Sequence, residues 1–309
     1  MKLRTLWKLL KETVTEWNDD GASTRAAALA YYTIFSIAPM ILIATAIAGA
    51  IFGEDAARGE IHRQIEGVVG ETSAKAIEQM VDSAAQPGRG AIATVIGVIV
   101  LIFAATGAFS ELQSALNAFW GAKPPKLNGA LAFLRVRVLS FAMVLCIGFL
   151  LVVSLISSAV ISAIGTWLTR YSESWTTAIQ WVNQGISFAG ITLLFALIYK
   201  VLPDRKIEWG DVWLGALVTS VLFNLGKLGI AVYLAKGSVA SSYGAAGSLA
   251  VLLVWVYYSS MILYLGAEFT EVYARHHGSL QNKPPPKKDH PWPKTPIGFV
   301  GTAKSAGGR

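Results

Sequence analysis

Cysteine is nearly absent from this 309-residue chain, Cys146 being the only one, and it lies inside an apolar run where it reads as packing. Disulfide scaffolds and multi-cysteine zinc modules are excluded. Charge is scarce as well: Asp, Glu, Lys and Arg make up 15% of residues, where a soluble domain carries about a quarter. The four histidines (His62, His276, His277, His290) fall in loops or the tail, and no His/Cys/Asp cluster has metal-ligand spacing. Gly244–Gly247 lacks the lysine and threonine of a phosphate-cradling loop, and there is no Gly-x-Ser-x-Gly elbow. We therefore expect no enzyme activity, no cofactor and no metal. ATP-driven pumping has no motif to support it.

What the chain does have is hydrophobicity, 54% of residues, gathered into runs of about 20. Six apolar segments lie near 26–52, 91–115, 138–164, 178–201, 212–235 and 246–272. Each is long enough for a hydrocarbon core about 30 Å thick, and in lipid such spans must be helical to satisfy their own backbone. Pro39 is expected to kink the first. The predicted fold is all-α: a polytopic membrane protein with six transmembrane helices over residues 25–277. Three spans in each half would give halves of opposite topology, as in many transporters.

Before the spans, residues 1–24 show no signal-peptide layout. Leu3, Leu6, Trp7, Leu10, Val14 and Trp17 recur at helical spacing, with Lys2, Arg4, Lys8 and Lys11 opposite. This predicts an amphipathic interfacial helix with its basic residues near anionic membrane lipids; a helix packed on loops is the alternative. The 53–90 segment is acidic, and its apolar spacing suggests two short amphipathic helices in an external loop. Residues 278–309, with Pro284–Pro286, Lys287 and Lys288, read as a disordered basic cytoplasmic tail, either solvated or resting on anionic lipid.

The net charge of +7 would suit nucleic acid, but its distribution suits a membrane. Lys and Arg total 19 in the segment through Arg25, the 120–137 and 200–211 loops and the residues from Arg275 onward, against 6 in the 53–90, 165–177 and 236–243 loops. The positive-inside rule then places both termini in the cytoplasm, and no nucleic-acid partner is expected. Trp120, Trp167, Trp175, Trp209 and Trp213 sit near span ends, as interface anchors would.

Charged groups at membrane depth cost about 2.5–3.5 kcal/mol each on the lenient insertion scale, so they and the polar residues beside them are the first candidates for a solute or ion pathway. Glu268 shares a helix face with Tyr257, Met261, Tyr264 and Glu271, and is either a buried partner or an interfacial carboxylate. Arg25 opens the first span below Tyr32 and Ser36; it is a topology anchor, or it pairs with Glu268 or Glu111. Around Glu111, the residues Ser110, Gln113, Ser114 and Asn117 are polar all round the helix, so this stretch either lines a wet cavity or projects into the cytoplasm. Lys227 lies about 12 Å from the outer end of its span, in a stripe with Ser220 and Asn224. It either faces a cavity that attracts an anion, snorkels outward, or joins a structural hydrogen-bond network. Ser241–Ser248 (SSYGAAGS) is an external turn or a broken helix start able to receive an anion. Ala26-x-x-x-Ala30 and Ala44-x-x-x-Ala48 would serve packing within the bundle or between protomers of a homo-oligomer equally well.

Three stretches carry a family resemblance: RAAALAYYTIFSIAPM (Arg25–Met40), LPDRKIEWGDVWLGALVTSVLFNLGKLGIAVYL (Leu202–Leu234) and SSYGAAGSLAVLLVWVYYSSMILYLGAEFTEVY (Ser241–Tyr273). They resemble the YihY / virulence factor BrkB family over roughly residues 1–277, the last stretch being the most specific. The resemblance implies a six-span protein of the bacterial inner membrane, links to surface resistance in pathogens, and a transport role. The family has also carried the name ribonuclease BN, a tRNA-processing activity that needs clustered His and Asp ligands this sequence lacks. The expected function is transport or flipping of an anionic or amphipathic small molecule through a polar cavity bordered by Lys227, Asn224, Glu268, Glu111, Arg25, Tyr32 and Tyr264. The contrasting expectation is a non-transporting envelope scaffold.

Overall fold

The computed structural model describes residues 3–85, 107–122, 134, 138, 175–236 and 247–281. Every regular element among them is a helix: α1 (Leu3–Asp19), α2 (Ala22–Phe52), α3 (Glu54–Val69), α4 (Glu71–Ala85), α5 (Trp175–Val201), α6 (Trp209–Lys236) and α7 (Gly247–His276). A further helical stretch covers 107–119. Four of the six apolar runs correspond to α2, α5, α6 and α7. The run at 138–164, most of the run at 91–115, the Ser241–Ser248 segment up to 246, Trp167 and the tail from 282 lie outside the described residues. Gln184–Val201, Trp209–Ile230 and Gly247–His276 are long and apolar enough to cross a membrane. Helix α2 remains helical through Pro39 and, at 31 residues, is about 46 Å long.

Two glycines set the path of the first half. The α2–α3 turn is made at Gly53 (φ 89) and the α3–α4 turn at Gly70 (φ 81), backbone conformations that a side chain disfavours. Each caps the helix before it, Gly53 donating its N–H to the Gly49 carbonyl and Gly70 to that of Glu66. With one residue per turn, α3 and α4 fold back along α2. Ala57 and Ile61 pack on Ile41 and Ala44, and Ile77 joins Leu252 and Val256 of α7. The hairpin is therefore wedged against the C-terminal half of α2 and the N-terminal half of α7.

Helix α7 is the hub, packing on α6, α2, α1 and α4. Close approach to α6 is secured by small residues. A Cβ at Gly215 would overlap the Thr270 side chain, and one at Gly266 would overlap Thr219. The core continues through Ala26, Leu116, Phe119, Ala196, Val212 and Ala267. Ala26 and Ala30 are buried inside the bundle, so this small-residue pair packs within the chain. Trp120 is a correction to the sequence reading: it is fully buried in the core, whereas Trp209 and Trp213 are exposed. Its carbonyl accepts from Arg205 of the 202–208 loop, which pulls the 107–122 segment into the bundle. On α6, Trp213, Leu217, Val221, Leu225, Leu228 and Val232 stay exposed at helical spacing, an apolar stripe suited to acyl chains.

Candidate functional site

The polar residues singled out above separate into three groups. The first forms where α2, the 107–119 helix and α7 meet. Tyr264 is fully buried there, its ring edge-on to Phe119 at 5.2 Å. Its hydroxyl has no hydrogen-bond partner among the described residues. Glu111 and Arg25 are the charges that act on it. Arg25 is half-buried and donates from Nε to the Asp20 carbonyl at 3.4 Å, a long bond that leaves most of the guanidinium's donors uncommitted. Glu111 is likewise half-buried. A buried hydroxyl thus lies within electrostatic reach of both a cation and a carboxylate.

The helix that carries Glu111 owes its placement to its other polar residues. Gln113 Nε2 donates to the Leu202 carbonyl at 3.1 Å. Asn117 exchanges two bonds with Asp204, donating from Nδ2 at 2.8 Å and accepting the Asp204 N–H at 2.7 Å. The polarity around this helix therefore serves docking onto the α5–α6 loop. Lys200 closes the same loop by donating to the Ile207 carbonyl while lying 5.2 Å above the Trp209 ring.

The second group gathers around Glu268. Carboxylate oxygens of Glu16, Glu268 and Glu271 lie within 4.8 Å of one another, and Glu268 and Glu271 are fully buried. Arg275 is the cation they face, with Nη2 at 2.5 Å from Glu16, 3.0 Å from Glu271 and 3.4 Å from Glu12. Ionised carboxylates this deep persist only when paired. The cluster therefore fastens α1 to the end of α7, with Glu268 beside Glu16 of α1. His276 adds a second clamp, its Nε2 at 2.8 Å from Glu12.

The remaining candidates stand apart. Lys227 donates to the Gly67 carbonyl of α3 at 3.1 Å. It thereby meets the last turn of α3, where unsatisfied carbonyls and the helix dipole favour a cation. Asn224 bonds within its own helix, to the Ser220 carbonyl at 2.8 Å. Tyr32 is exposed, stacks edge-on with Tyr31 at 5.5 Å and covers Gly107, where a Cβ would lie 2.8 Å from its ring.

Two clefts open at the ends of the described bundle. One, of about 80 Å³, lies between α2 and the α3–α4 hairpin, with Ile41, Ile61 and Ile77 as floor and Arg58, His62 and Glu78 at its rim. The other, of about 350 Å³, lies between α1 and the end of α7, lined by Arg4, Thr5, Lys8, Leu9, His276 and His277. Arg275, Glu12 and Glu16 are not among the site residues expected from the sequence. The i, i+4 spacing of Glu12–Glu16 and of Glu271–Arg275 was the available signal, but nothing local shows that the two pairs meet across 259 residues.

Comparison with known proteins agrees with a membrane protein. The sequence profile described as Virulence factor BrkB matches residues 13–291. A UPF0761 membrane protein of Pseudoalteromonas atlantica is 30% identical over 258 residues, covering 82% of this chain and 81% of the relative. One from Photobacterium profundum is 32% identical over 260 residues, covering 81% and 76%. One from Vibrio vulnificus is 28% identical over 265 residues, covering 83% and 79%. No solved structure matches the chain. With nearly its whole helical length aligned to that profile, the chain belongs to the Virulence factor BrkB family of membrane proteins.

Proposed function

We propose that this protein moves an anionic or amphipathic solute, such as a lipid with a charged headgroup, across the bacterial inner membrane. The observation that carries the reading is the buried Tyr264 hydroxyl, without a hydrogen-bond partner among the described residues, beside Arg25 and Glu111. An orphaned buried hydroxyl costs about 1–3 kcal/mol. A chain that keeps one next to two opposite charges gains from a polar group that visits the site. Arg25 attracts the anionic group, Tyr264 orients it, and Glu111 balances the charge of Arg25 when the group has left. With no nucleotide-binding motif, the driving force is the solute's own gradient or a coupled ion. The distribution of basic residues supports a cytoplasmic N-terminal end of the bundle, which would set this site toward the inner leaflet.

The test is reconstitution into proteoliposomes, guided by lipid and metabolite profiling of a strain lacking the protein. Arg25→Gln, Glu111→Gln and Tyr264→Phe are each expected to lower the transport rate at least about tenfold while membrane insertion is retained. Wild-type rates in all three variants would remove the proposed pathway. The second reading, a non-transporting envelope scaffold, is favoured by the tight Gly–Thr seam between α6 and α7. It predicts that no solute moves in proteoliposomes and that purified complexes retain a stoichiometric protein partner.

A further inference from the structure

The cleft between α1 and α7 lies outside the proposed pathway and has a chemistry of its own. Its six lining residues include two permanent cations and two imidazoles. The acids close by are already engaged: Glu12 pairs with His276 and Arg275, and Glu16 with Arg275. Arg4 and Lys8 have no such partner among the described residues. The imidazoles are held in place, since Glu12 takes Nε2 of His276 and Tyr273 stacks on His277 at 5.8 Å. At about 350 Å³ the cleft falls within the ordinary range for small-ligand sites, about 300–1,000 Å³.

The identity of the anion follows from the rest of α1. Leu9 and Thr13 face the bundle and are buried. Trp7, Leu10 and Val14, at i, i+3 and i+7, are turned away from it with exposures of 72%, 41% and 56%. An apolar strip that the protein leaves uncovered on a helix with a basic edge belongs in the boundary between headgroups and acyl chains. With the strip at that level, Arg4 and Lys8 sit at the depth of lipid phosphates. A soluble anion would find the same charges but would leave the strip unexplained.

We propose that this cleft is a binding site for the phosphate of an anionic lipid headgroup, seated between the first turns of α1 and the end of α7. Because Glu12 and Glu16 tie α1 to Arg275 and His276, an occupied cleft fixes α1 against the bundle from both sides.

The experiment uses the full chain in nanodiscs of mixed phosphatidylcholine and phosphatidylglycerol, with native mass spectrometry reading the lipid retained on the protein. Wild type is expected to retain phosphatidylglycerol selectively, and the Arg4→Gln/Lys8→Gln double variant to lose that selectivity about tenfold. Lys11→Gln, on the same helix but outside the cleft, keeps it. Unfolding temperature measured in parallel shows that the double variant is folded. Undiminished selectivity in the double variant, or an equal loss in Lys11→Gln, overturns the site. Displacement of the lipid by inorganic phosphate at the same concentration overturns the lipid assignment and gives the cleft to a free phosphate instead. The result does not depend on whether the protein transports anything.

Discussion

At Gly266 the missing side chain decides how closely α6 and α7 approach, because the space a Cβ would take is filled by Thr219 and the Tyr199 hydroxyl. Those groups form a connected set: Tyr199 Oη lies 3.0 Å from Thr219 Oγ1 and donates to the Leu263 carbonyl at 2.7 Å. Gly266→Ala must displace this pair, so we expect a loss of about 1–3 kcal/mol, read from unfolding in detergent; an unchanged midpoint would contradict the packing described. Arg275 carries a comparable burden by electrostatics. Replacing it with Gln leaves Glu16 and Glu271 facing one another near the fully buried Glu268. The expected cost is about 3 kcal/mol, and Arg275→Lys restores only part of it, because the more strongly hydrated ammonium is costlier to dehydrate than the guanidinium whose Nη2 meets all three carboxylates. Full stability in Arg275→Gln would show that the cluster is held by something else.

Among elements, the α3–α4 hairpin shows what a sequence conveys and what it conceals. Its two helices are legible in the spacing of Ile61, Ile65, Ile77 and Val81, and its turns in Gly53 and Gly70. That it folds back along α2 and receives Lys227 is not legible, since the bond to Gly67 joins residues 160 apart. Lys227 drew attention as a lone cation in an apolar helix; its partner is a helix end, which no local pattern announces. Lys227→Met is therefore expected to raise hydrogen exchange across 54–85 severalfold while leaving α5 unchanged. Exchange unaltered in the hairpin would mean that α2 and α7 alone hold it. Helix α1 repeats the lesson: its apolar periodicity was plain, but the face that docks on the bundle is the one with Leu9, Thr13, Glu12 and Glu16, and the apolar strip is left outside.

For the whole molecule, long apolar runs are the strongest signal a sequence can carry, because a hydrocarbon environment permits only self-satisfied helices. That is why α2, α5, α6 and α7 fall where the runs do. Which polar groups share a level is a matter of helix rotation and packing, set by contacts such as Asn117 with Asp204. Hence Arg25 and Glu111 both act on Tyr264, while the Glu268 carboxylate lies beside that of Glu16 on α1. The central claim is that water and solute reach the buried Tyr264 during the working cycle. With Cys146 as the only native cysteine, a Cys146→Ala background allows Tyr264→Cys to be probed with a small, membrane-impermeant thiol reagent, beside Leu252→Cys as a buried apolar control. We expect Tyr264→Cys to be modified, more slowly after Glu111→Gln, and Leu252→Cys not to be. Equal resistance at both positions would contradict that claim.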